Sequence, residues 1–247
     1  MRRAFILVAA LFAAACQHAA APAAGTTGAG ATAASGDVAD CTDADAIGQK
    51  DPERAAQACI RLAEAGQAFA ENNLGVMFIH GQGVPRDEAK AAAWITKSAE
   101  QGYAIGENNL GLMYAKGMGV AQDDAQAAAW IGKAAARGYP PAQFALGNLY
   151  RDGRGVPQSA TKAIHWLTEA ASLGHGPAQI ELSEIYAAGE GVPRNLVQAY
   201  AWLSIAAQGG SPAAATARDA LGARLTPAEL AKADAMVATA RRPASGS

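Results

Sequence analysis

The sequence has 247 residues, a formal net charge of −2 at pH 7 and a charged fraction of 17%, which exclude a strong bulk attraction to nucleic acid or anionic lipid. Hydrophobic residues make up 51% of the chain but aromatic residues only 6%, and alanine is the commonest residue, a composition that favours closely packed helices over a β-sandwich. No apolar run reaches the roughly 18 residues that a membrane-spanning helix needs.

The first 15 residues are typical of a secretory signal peptide. Arg2 and Arg3 make a short basic head, residues 4–15 are all apolar, and small residues precede Cys16. We therefore expect residues 1–15 to be removed on export. The alternative is a buried helix of the fold itself, which fits less well because the segment runs directly into low-complexity sequence.

The residues before Cys16 also resemble the lipobox of bacterial lipoproteins, in which cleavage exposes a cysteine that receives lipid. Ala13 stands where that motif prefers leucine, so ordinary cleavage after residues 13–15 is the alternative and would leave a soluble periplasmic protein. The resemblance implies lipidation of Cys16, and Gln17 after it implies the outer membrane. We expect an exported protein, an outer-membrane lipoprotein that faces the periplasm.

Low-complexity sequence follows this segment. Residues 16–40 are mainly alanine, glycine and threonine, which cannot bury a core, and they are predicted to form a disordered tether. Residues 241–247 are predicted to form a disordered tail.

A repeat of 36 residues organises the rest of the chain. The same interval separates all four tryptophans and links a series of Gly-x-Gly-Val loops. The tryptophans are Trp94, Trp130, Trp166 and Trp202. A fixed period of this length predicts similar supersecondary units that stack on one another.

Each unit contains the pattern of two helices. Helix A carries Leu74 and Phe78 on one face, an i, i+4 pair, and ends at the glycine loop. Helix B follows an N-cap residue and carries alanines on either side of the tryptophan, which we expect to be structural and to fill the seam between helices. The N-cap positions are Asp87, Asp123, Ser159 and Asn195.

The period divides the chain into repeats with a cap at each end. The four repeats are residues 67–102, 103–138, 139–174 and 175–210. Residues 41–66 match a lone helix B and are predicted to form an N-terminal cap. Residues 211–240 are predicted to form C-terminal capping helices, the last of which starts at the capping box of residues 226–229.

The pattern resembles the Sel-one-like repeat (SLR) family of the tetratricopeptide superfamily over about residues 51–222. The resemblance rests on Leu-Gly-x-x-Tyr, Gly-x-Gly-Val-Pro, Ala-x-x-Trp and Ala-Ala-x-x-Gly, with departures such as Ala121 for proline and Ser183 for glycine. It implies a right-handed α-solenoid of helix–turn–helix repeats that binds proteins or peptides and scaffolds complexes. A cysteine-rich branch of the family, some of whose members have been reported to bind penicillins, has a disulfide in each repeat, and this chain does not.

Cys41 and Cys59 are the cysteines that remain besides Cys16. Export would place them in an oxidising compartment, so we expect a disulfide between them that pins the N-terminal cap. A core role for Cys59 is compatible with this bridge, because its repeat equivalents are Ile95, Ile131 and Leu203.

The sequence contains no recognisable catalytic or cofactor motif. The Gly81-x-Gly83 loop lacks the third glycine and the preceding strand of a dinucleotide site, and no serine sits in a nucleophile elbow. No pair of histidines has metal-ligand spacing, and His175 is expected near a loop at the surface. The four histidines are His18, His80, His165 and His175. We predict a non-enzymatic protein with no cofactor, no metal and no nucleic-acid partner.

The superfamily resemblance implies that helix A lines a concave groove. Counting from Leu74 and Phe78, the groove candidates are Asn72, Asn108, Leu112, Phe144, Asn148, Arg151 and Glu184. Neighbouring Asn73 and Asn109 are expected to serve packing. This mixture suits an extended or helical peptide. The alternative is that these residues only solvate or pack the inner face, and that a convex loop or the tether holds the partner.

These features together predict a scaffold or adaptor of the bacterial envelope that binds an unidentified envelope protein or peptide and contacts the membrane only through its lipid anchor. A glycan-binding module, for peptidoglycan or an exported polysaccharide, is the alternative, although the groove positions hold few aromatic rings. A protein that binds or hydrolyses β-lactams is a further alternative, suggested only by the cysteine-rich branch.

Overall fold

The computed structural model describes residues 35–43 and 51–240, and within them it contains twelve α-helices and no β-strand. The predicted all-α solenoid class is therefore confirmed. The helices are α1 (Ser35–Thr42), α2 (Pro52–Glu64), α3 (Ala68–His80), α4 (Glu88–Glu100), α5 (Ala104–Lys116), α6 (Asp124–Ala136), α7 (Pro140–Asp152), α8 (Ala160–Ser172), α9 (Gly176–Ala188), α10 (Leu196–Gln208), α11 (Pro212–Gly222) and α12 (Pro227–Ala240).

Several sequence predictions fall on parts of the chain that lie outside the described residues. They concern the signal peptide 1–15, lipidation at Cys16, most of the tether 16–40 and the tail 241–247.

The rest of the chain divides into two compact units, one that ends at Arg137 and one that begins at Gly138. The first unit contains α1–α6, and the second contains α7–α12.

Helices A and B pack in consecutive pairs, α3 with α4 and α5 with α6 in the first unit, α7 with α8 and α9 with α10 in the second. All four B helices begin at the predicted N-cap residue, whose side-chain oxygen accepts a hydrogen bond from a backbone N–H of the first turn. The A helices end at a glycine in the left-handed region, for example Gly81 with φ of 70°.

Glycines within helix A allow the two helices of a repeat to approach closely. A Cβ added at Gly111 would lie 2.6 Å from Cγ1 of Ile131, and one at Gly147 would lie 2.9 Å from Cγ of Leu167. A side chain at either position would push helix B away. The buried apolar core therefore sits between helices whose separation is set by the missing Cβ atom.

The second glycine of each loop has a role that the sequence pattern did not reveal. Besides turning the chain with a positive φ, Gly83 and Gly119 lie against the first turn of the preceding B-type helix. A Cβ at Gly83 would overlap the carbonyl of Pro52 in α2, and one at Gly119 would overlap the carbonyl of Glu88 in α4. These glycines therefore set the spacing between consecutive repeats.

Helix α1 corrects the predicted boundary between tether and cap. It begins at Ser35, inside the range 16–40 that was predicted to be disordered. Asp37 pairs with Arg61 at 2.6 Å and Asp40 with Arg54 at 2.8 Å, both across to α2, while Val38 packs on the core of the cap. Composition assigned these residues to the tether, but their contacts with α2 stabilise a helix that composition alone does not predict.

The cap contains a disulfide bond between Cys41 of α1 and Cys59 of α2, and both cysteines are fully buried. Cys41 lies 36 residues before Met77 and Cys59 lies 36 residues before Ile95, so the bond joins two core positions of the repeat. Helix α1 is thus a short helix A, and the cap is a degenerate repeat. In the chain-entropy model, a bridge across 18 residues contributes about 3 kcal/mol to the free energy of unfolding.

The C-terminal cap contains two helices, as predicted. Helix α11 packs on α10, and α12 also packs against α10. Ala233 and Val237 of α12 are buried against Ala201. The equivalents of Ala201 in the other B helices, residues 93, 129 and 165, are exposed, so α12 covers a surface that is open elsewhere in the array.

We expect the substitution Gly119→Ala to lower the free energy of unfolding by about 2–4 kcal/mol, because the new Cβ meets the Glu88 carbonyl and the residue has φ of 64°. Gly132→Ala is the matched control, since no atom lies within 4 Å of its added Cβ. This control, within helix α6, should be stabilised by about 0.5–1 kcal/mol. Urea denaturation of both variants measures the difference, and equal stabilities would contradict the close-approach explanation.

Candidate functional site

The predicted groove residues divide by exposure into a buried set and an open set. Asn72, Asn108, Leu112 and Phe144 are buried, each at most 5% exposed. Asn148 is half-buried, and Arg151 and Glu184 are exposed. The structure therefore leaves only the last three with substantial surface for a partner, and all three belong to the second unit. Their role in binding stays a prediction.

Asn72 belongs to a buried amide network rather than to an open groove. Its Nδ2 donates to Oδ1 of Asn73 at 3.2 Å, and its Oδ1 accepts from Nδ2 of Asn109 at 2.8 Å. Asn73 Nδ2 in turn donates to the carbonyl of Cys41 at 2.9 Å. The network therefore links α1, α3 and α5. The packing role expected for Asn73 and Asn109 extends to Asn72, which the sequence pattern had placed on the outward face.

Three buried amide oxygens of the A helices lack a hydrogen-bond partner among the described residues. Oδ1 of Asn108 and Oδ1 of Asn109 accept no hydrogen bond although both side chains are buried. Oδ1 of Asn148 in the second unit is also a buried atom that accepts none, within a side chain that is half-buried overall. Buried acceptors of this kind usually bind water or a ligand donor. The sequence did not distinguish these amide oxygens from amides that serve only packing.

Charged side chains cover the open part of the helix-A surface in the second unit. Arg151, near the end of α7, pairs through Nη1 with Glu181 of α9 and through Nε with Asp152 at 2.9 Å. Glu184 lies one helical turn beyond Glu181 and is exposed. We call Asn148, Arg151, Ile180, Glu181 and Glu184 the α7/α9 face.

Two carboxylates occupy equivalent buried positions in the first unit. Glu107 Oε2 accepts from Arg137 Nε at 3.0 Å, and Glu71 Oε2 accepts from Gln101 Nε2 at 2.6 Å. Burial raises the pKa of Glu71 above its ordinary value, against the opposing effects of Lys97 and the Gln101 hydrogen bond. These pairs tie the start of helix A to the end of helix B within each repeat and have a structural role.

The four tryptophans are half-buried. Trp94 packs against the core of the N-terminal cap, and Trp202 packs against a core cluster of the second unit. Two of the rings carry lysines on their faces, with Nζ of Lys97 3.9 Å from the centroid of Trp94 and Nζ of Lys133 3.4 Å from that of Trp130. The structural role expected for the four tryptophans stays a prediction, and one face of the Trp94 and Trp130 rings is covered by a lysine.

His175 differs from its expected surface position. It is half-buried at the start of α9, with its ring centroid 4.9 Å from that of Phe144. Its Nδ1 is buried and has no hydrogen-bond partner among the described residues. Burial lowers the pKa of His175 to about 4, so the ring is neutral at physiological pH.

The described residues contain no arrangement of three His, Cys, Asp or Glu side chains that could hold a metal ion. None of the helices in residues 35–43 and 51–240 combines the length and the apolar content that crossing a membrane requires.

A cavity of about 420 Å³ lies in the second unit beside Arg151. Its other lining residues are Gln158, Ala160, Ala163, Ile164, Ile185, Glu190 and Gly191.

Comparison with known families identifies the repeat. The family model for the Sel1 repeat matches residues 68–103, 104–139, 140–175 and 176–211, which is more than half of the chain. Proteins built from this repeat are generally interaction scaffolds rather than catalysts. Among curated proteins, no sequence matches the chain.

Three similar solved structures come from bacteria. A protective antigen of uropathogenic Escherichia coli strains with an SLR fold is 34% identical, with a TM-score of 0.69 over 78% of this chain and 42% of its own. A Sel1 repeat protein from Oxalobacter formigenes is 35% identical, with a TM-score of 0.63 over 70% and 50%. An immunity protein from Pseudomonas aeruginosa is 25% identical, with a TM-score of 0.54 over 73% and 69%. This chain therefore spans half or less of the first two relatives.

The buried ring of His175 predicts a pH-dependent stability. The folded-state pKa of about 4 lies below the ordinary value of 6.5, so the unfolded chain binds more protons and stability falls as the pH drops below 6.5 toward 4. Between pH 7 and pH 5 the free energy of unfolding should fall by about 2 kcal/mol more in the wild type than in His175→Gln. Denaturant titrations at both pH values measure this difference. His165→Gln, at an exposed position of α8, should keep the wild-type dependence. Parallel pH profiles for the wild type and His175→Gln would contradict the prediction.

Proposed function

We propose that this chain, which belongs to the Sel1 repeat family, is a non-catalytic adaptor of the bacterial cell envelope that holds a partner protein or peptide on its α7/α9 face. The observation that carries the proposal is the pair of exposed charged side chains, Arg151 and Glu184, at positions whose equivalents in the first unit, Ile79 and Leu112, are buried. Arg151, Glu181 and Glu184 give this face both signs of charge, which favours orientation and selection of a protein partner.

The proposed location rests on the N-terminal sequence. The basic head, the apolar residues 4–15 and Cys16 support export followed by lipidation, with a soluble periplasmic form as the alternative. The disulfide between Cys41 and Cys59 supports the same proposal, because such bonds persist in oxidising compartments and are rare in the cytosol.

The glycan alternative has less support than a protein partner. Sugar binding commonly uses an open aromatic ring face, and the α7/α9 face contains no aromatic residue. The ring faces of Trp94 and Trp130 carry lysines. For the β-lactam alternative, the only supporting feature is the resemblance to the cysteine-rich branch, and the chain lacks the disulfide in each repeat that marks that branch.

Lipidation predicts a change in fractionation. The wild-type protein should sediment with the outer membrane, and Cys16→Ser should appear in the soluble periplasmic fraction, because the acyl chains of a lipoprotein together give stable anchoring. Fractionation and intact-mass analysis of both forms measure the effect. A soluble wild-type protein cleaved elsewhere than before Cys16 would contradict the anchor.

Charge reversal on the α7/α9 face predicts loss of the partner. Glu184→Lys should reduce recovery of the partner about tenfold after crosslinking in intact cells, because it places a positive charge where the face presents a carboxylate to the partner. The helical signal and melting temperature should not change, since the Glu184 side chain is exposed. Identification by mass spectrometry and quantification against wild type provide the measurement.

A matched variant controls for charge. Glu169→Lys makes the same change at an exposed position outside the α7/α9 face and should recover the partner as wild type does. If both variants behave like wild type, the partner is held elsewhere. If hydrolysis of a chromogenic β-lactam accompanies the purified chain, the adaptor proposal is wrong.

A further inference from the structure

The cavity beside Arg151 is an opening between two repeats of the second unit. Its floor is apolar and consists of Ala163 and Ile164 from α8 together with Ile185 from α9. Ala163 and Ile185 are buried and Ile164 is half-buried. Arg151 and Glu190 stand at its polar part. The volume, about 420 Å³, is enough to admit an aliphatic side chain and the backbone that carries it. We call this opening the Arg151 crevice.

The first unit contains the same position of the fold, and there it is filled. Ile79 lies 72 residues before Arg151, and Met113 lies 72 residues before Ile185. Both side chains are buried, Ile79 with 8% exposure and Met113 with none. Ala92, the equivalent of Ile164, is also buried. In the first unit, an aliphatic side chain from the chain itself therefore occupies the position that Arg151 leaves open.

Arg151 leaves the crevice open because its guanidinium is bound outside the apolar floor. It pairs with Glu181 and Asp152, and its side chain is 42% exposed. An arginine head group placed on the floor instead would lose these two partners and its hydration. The floor of Ala163, Ile164 and Ile185 thus keeps an apolar surface that the equivalent isoleucine covers in the first unit.

The charges around the crevice favour a cation over an anion. Glu181 and Asp152 both engage the single guanidinium of Arg151, and Glu190 adds a third carboxylate. The first turn of α8 also borders the crevice, but its N-terminus is already capped by Ser159, whose Oγ accepts from the backbone N–H of Lys162 at 3.3 Å. An acidic ligand would therefore meet more carboxylates than free donors.

We propose that the Arg151 crevice is a side-chain pocket that takes a leucine or isoleucine of a partner segment in which lysine or arginine flanks that residue. The aliphatic side chain fills the space that Ile79 fills in the first unit, and the flanking cations meet Glu190 and Glu181. This proposal rests on the proposed function, because it names the class of peptide that the same face binds.

The test uses the purified full chain and defined peptides. The probe is acetyl-Lys-Lys-Leu-Lys-Lys-amide, and the two comparison peptides replace leucine by serine or all four lysines by glutamate. Isoleucine-methyl NMR reports the site, since Ile164 and Ile185 line the crevice and Ile95 and Ile131 are buried in the first unit. Only the lysine–leucine probe should shift the first pair, and no probe should shift the second.

Two substitutions of Arg151 distinguish the effect of filling the crevice from the effect of removing the positive charge. Arg151→Ile and Arg151→Ala both remove the same positive charge and leave the crevice more acidic, which favours a cationic probe. Arg151→Ile should nevertheless weaken binding about tenfold or more, because the new side chain occupies the space that the probe's leucine needs. Arg151→Ala should bind as tightly as wild type or more tightly. Glu190→Gln should weaken binding and reduce its salt dependence, and Glu169→Gln should do neither.

The outcomes distinguish this proposal from the proposed function. Equal effects of Arg151→Ile and Arg151→Ala, or equal shifts with the glutamate and lysine probes, would overturn the crevice as a pocket. If Arg151→Ile also recovers the envelope partner as wild type does while Glu184→Lys does not, the adaptor function stands and the crevice is not its anchor. Melting curves of the variants show whether unfolding causes a loss of binding. Arg151→Ile should not lower the melting temperature, since it adds apolar packing to an open crevice.

Discussion

Close approach of backbones at glycine positions is the constraint on which the rest of this structure depends. Within a repeat, Gly111 lets helix A come near enough for Ile131 to fill the place of a Cβ, and between repeats Gly119 lets a loop touch the first turn of the preceding helix B. Main-chain atoms also take part in both contacts, since an added Cβ would lie 2.9 Å from the Ala127 carbonyl oxygen at Gly111 and would overlap the Glu88 carbonyl oxygen at Gly119. These contacts therefore fix the distance between helices more firmly than flexible side chains alone could. A chain with few aromatic residues can then bury a core made largely of alanine.

This close packing also determines which surface remains for binding. In the first unit, helices α3 and α5 are buried on nearly all sides, and the hydrogen bond between Asn72 and Asn109 joins one helix A to the next. In the second unit, the guanidinium of Arg151 replaces an aliphatic side chain at one repeat position, and Glu181 and Glu184 of the neighbouring helix A are charged. The same backbone arrangement therefore supports an almost fully buried helix A in one unit and a more exposed one in the other.

Features that recur in each repeat could be predicted from the 36-residue period of the sequence. Features that depend on one particular contact were missed. The helix pairs, the N-cap residues and the pairing of Cys41 with Cys59 follow from types of residue at repeated positions. Helix α1 could also have been predicted, because Cys41 lies one period before Met77, but the low-complexity residues that precede Cys41 obscured this relation. The burial of Asn72 was not accessible, since a register places a residue on a helix face without saying whether the next repeat covers that face.

Function in such an array arises where one repeat departs from the others. A residue that matches its equivalents repeats their packing, and packing alone gives no reason for one surface to bind and another not to. Position 151 is one such departure. The charged head group of Arg151 pairs with Glu181 outside the core, so a cavity remains beside it, whereas its first-unit equivalent Ile79 is a buried apolar side chain. One repeat is packed less completely as a result, and the array tolerates this because neighbouring repeats contribute their own interfaces to stability.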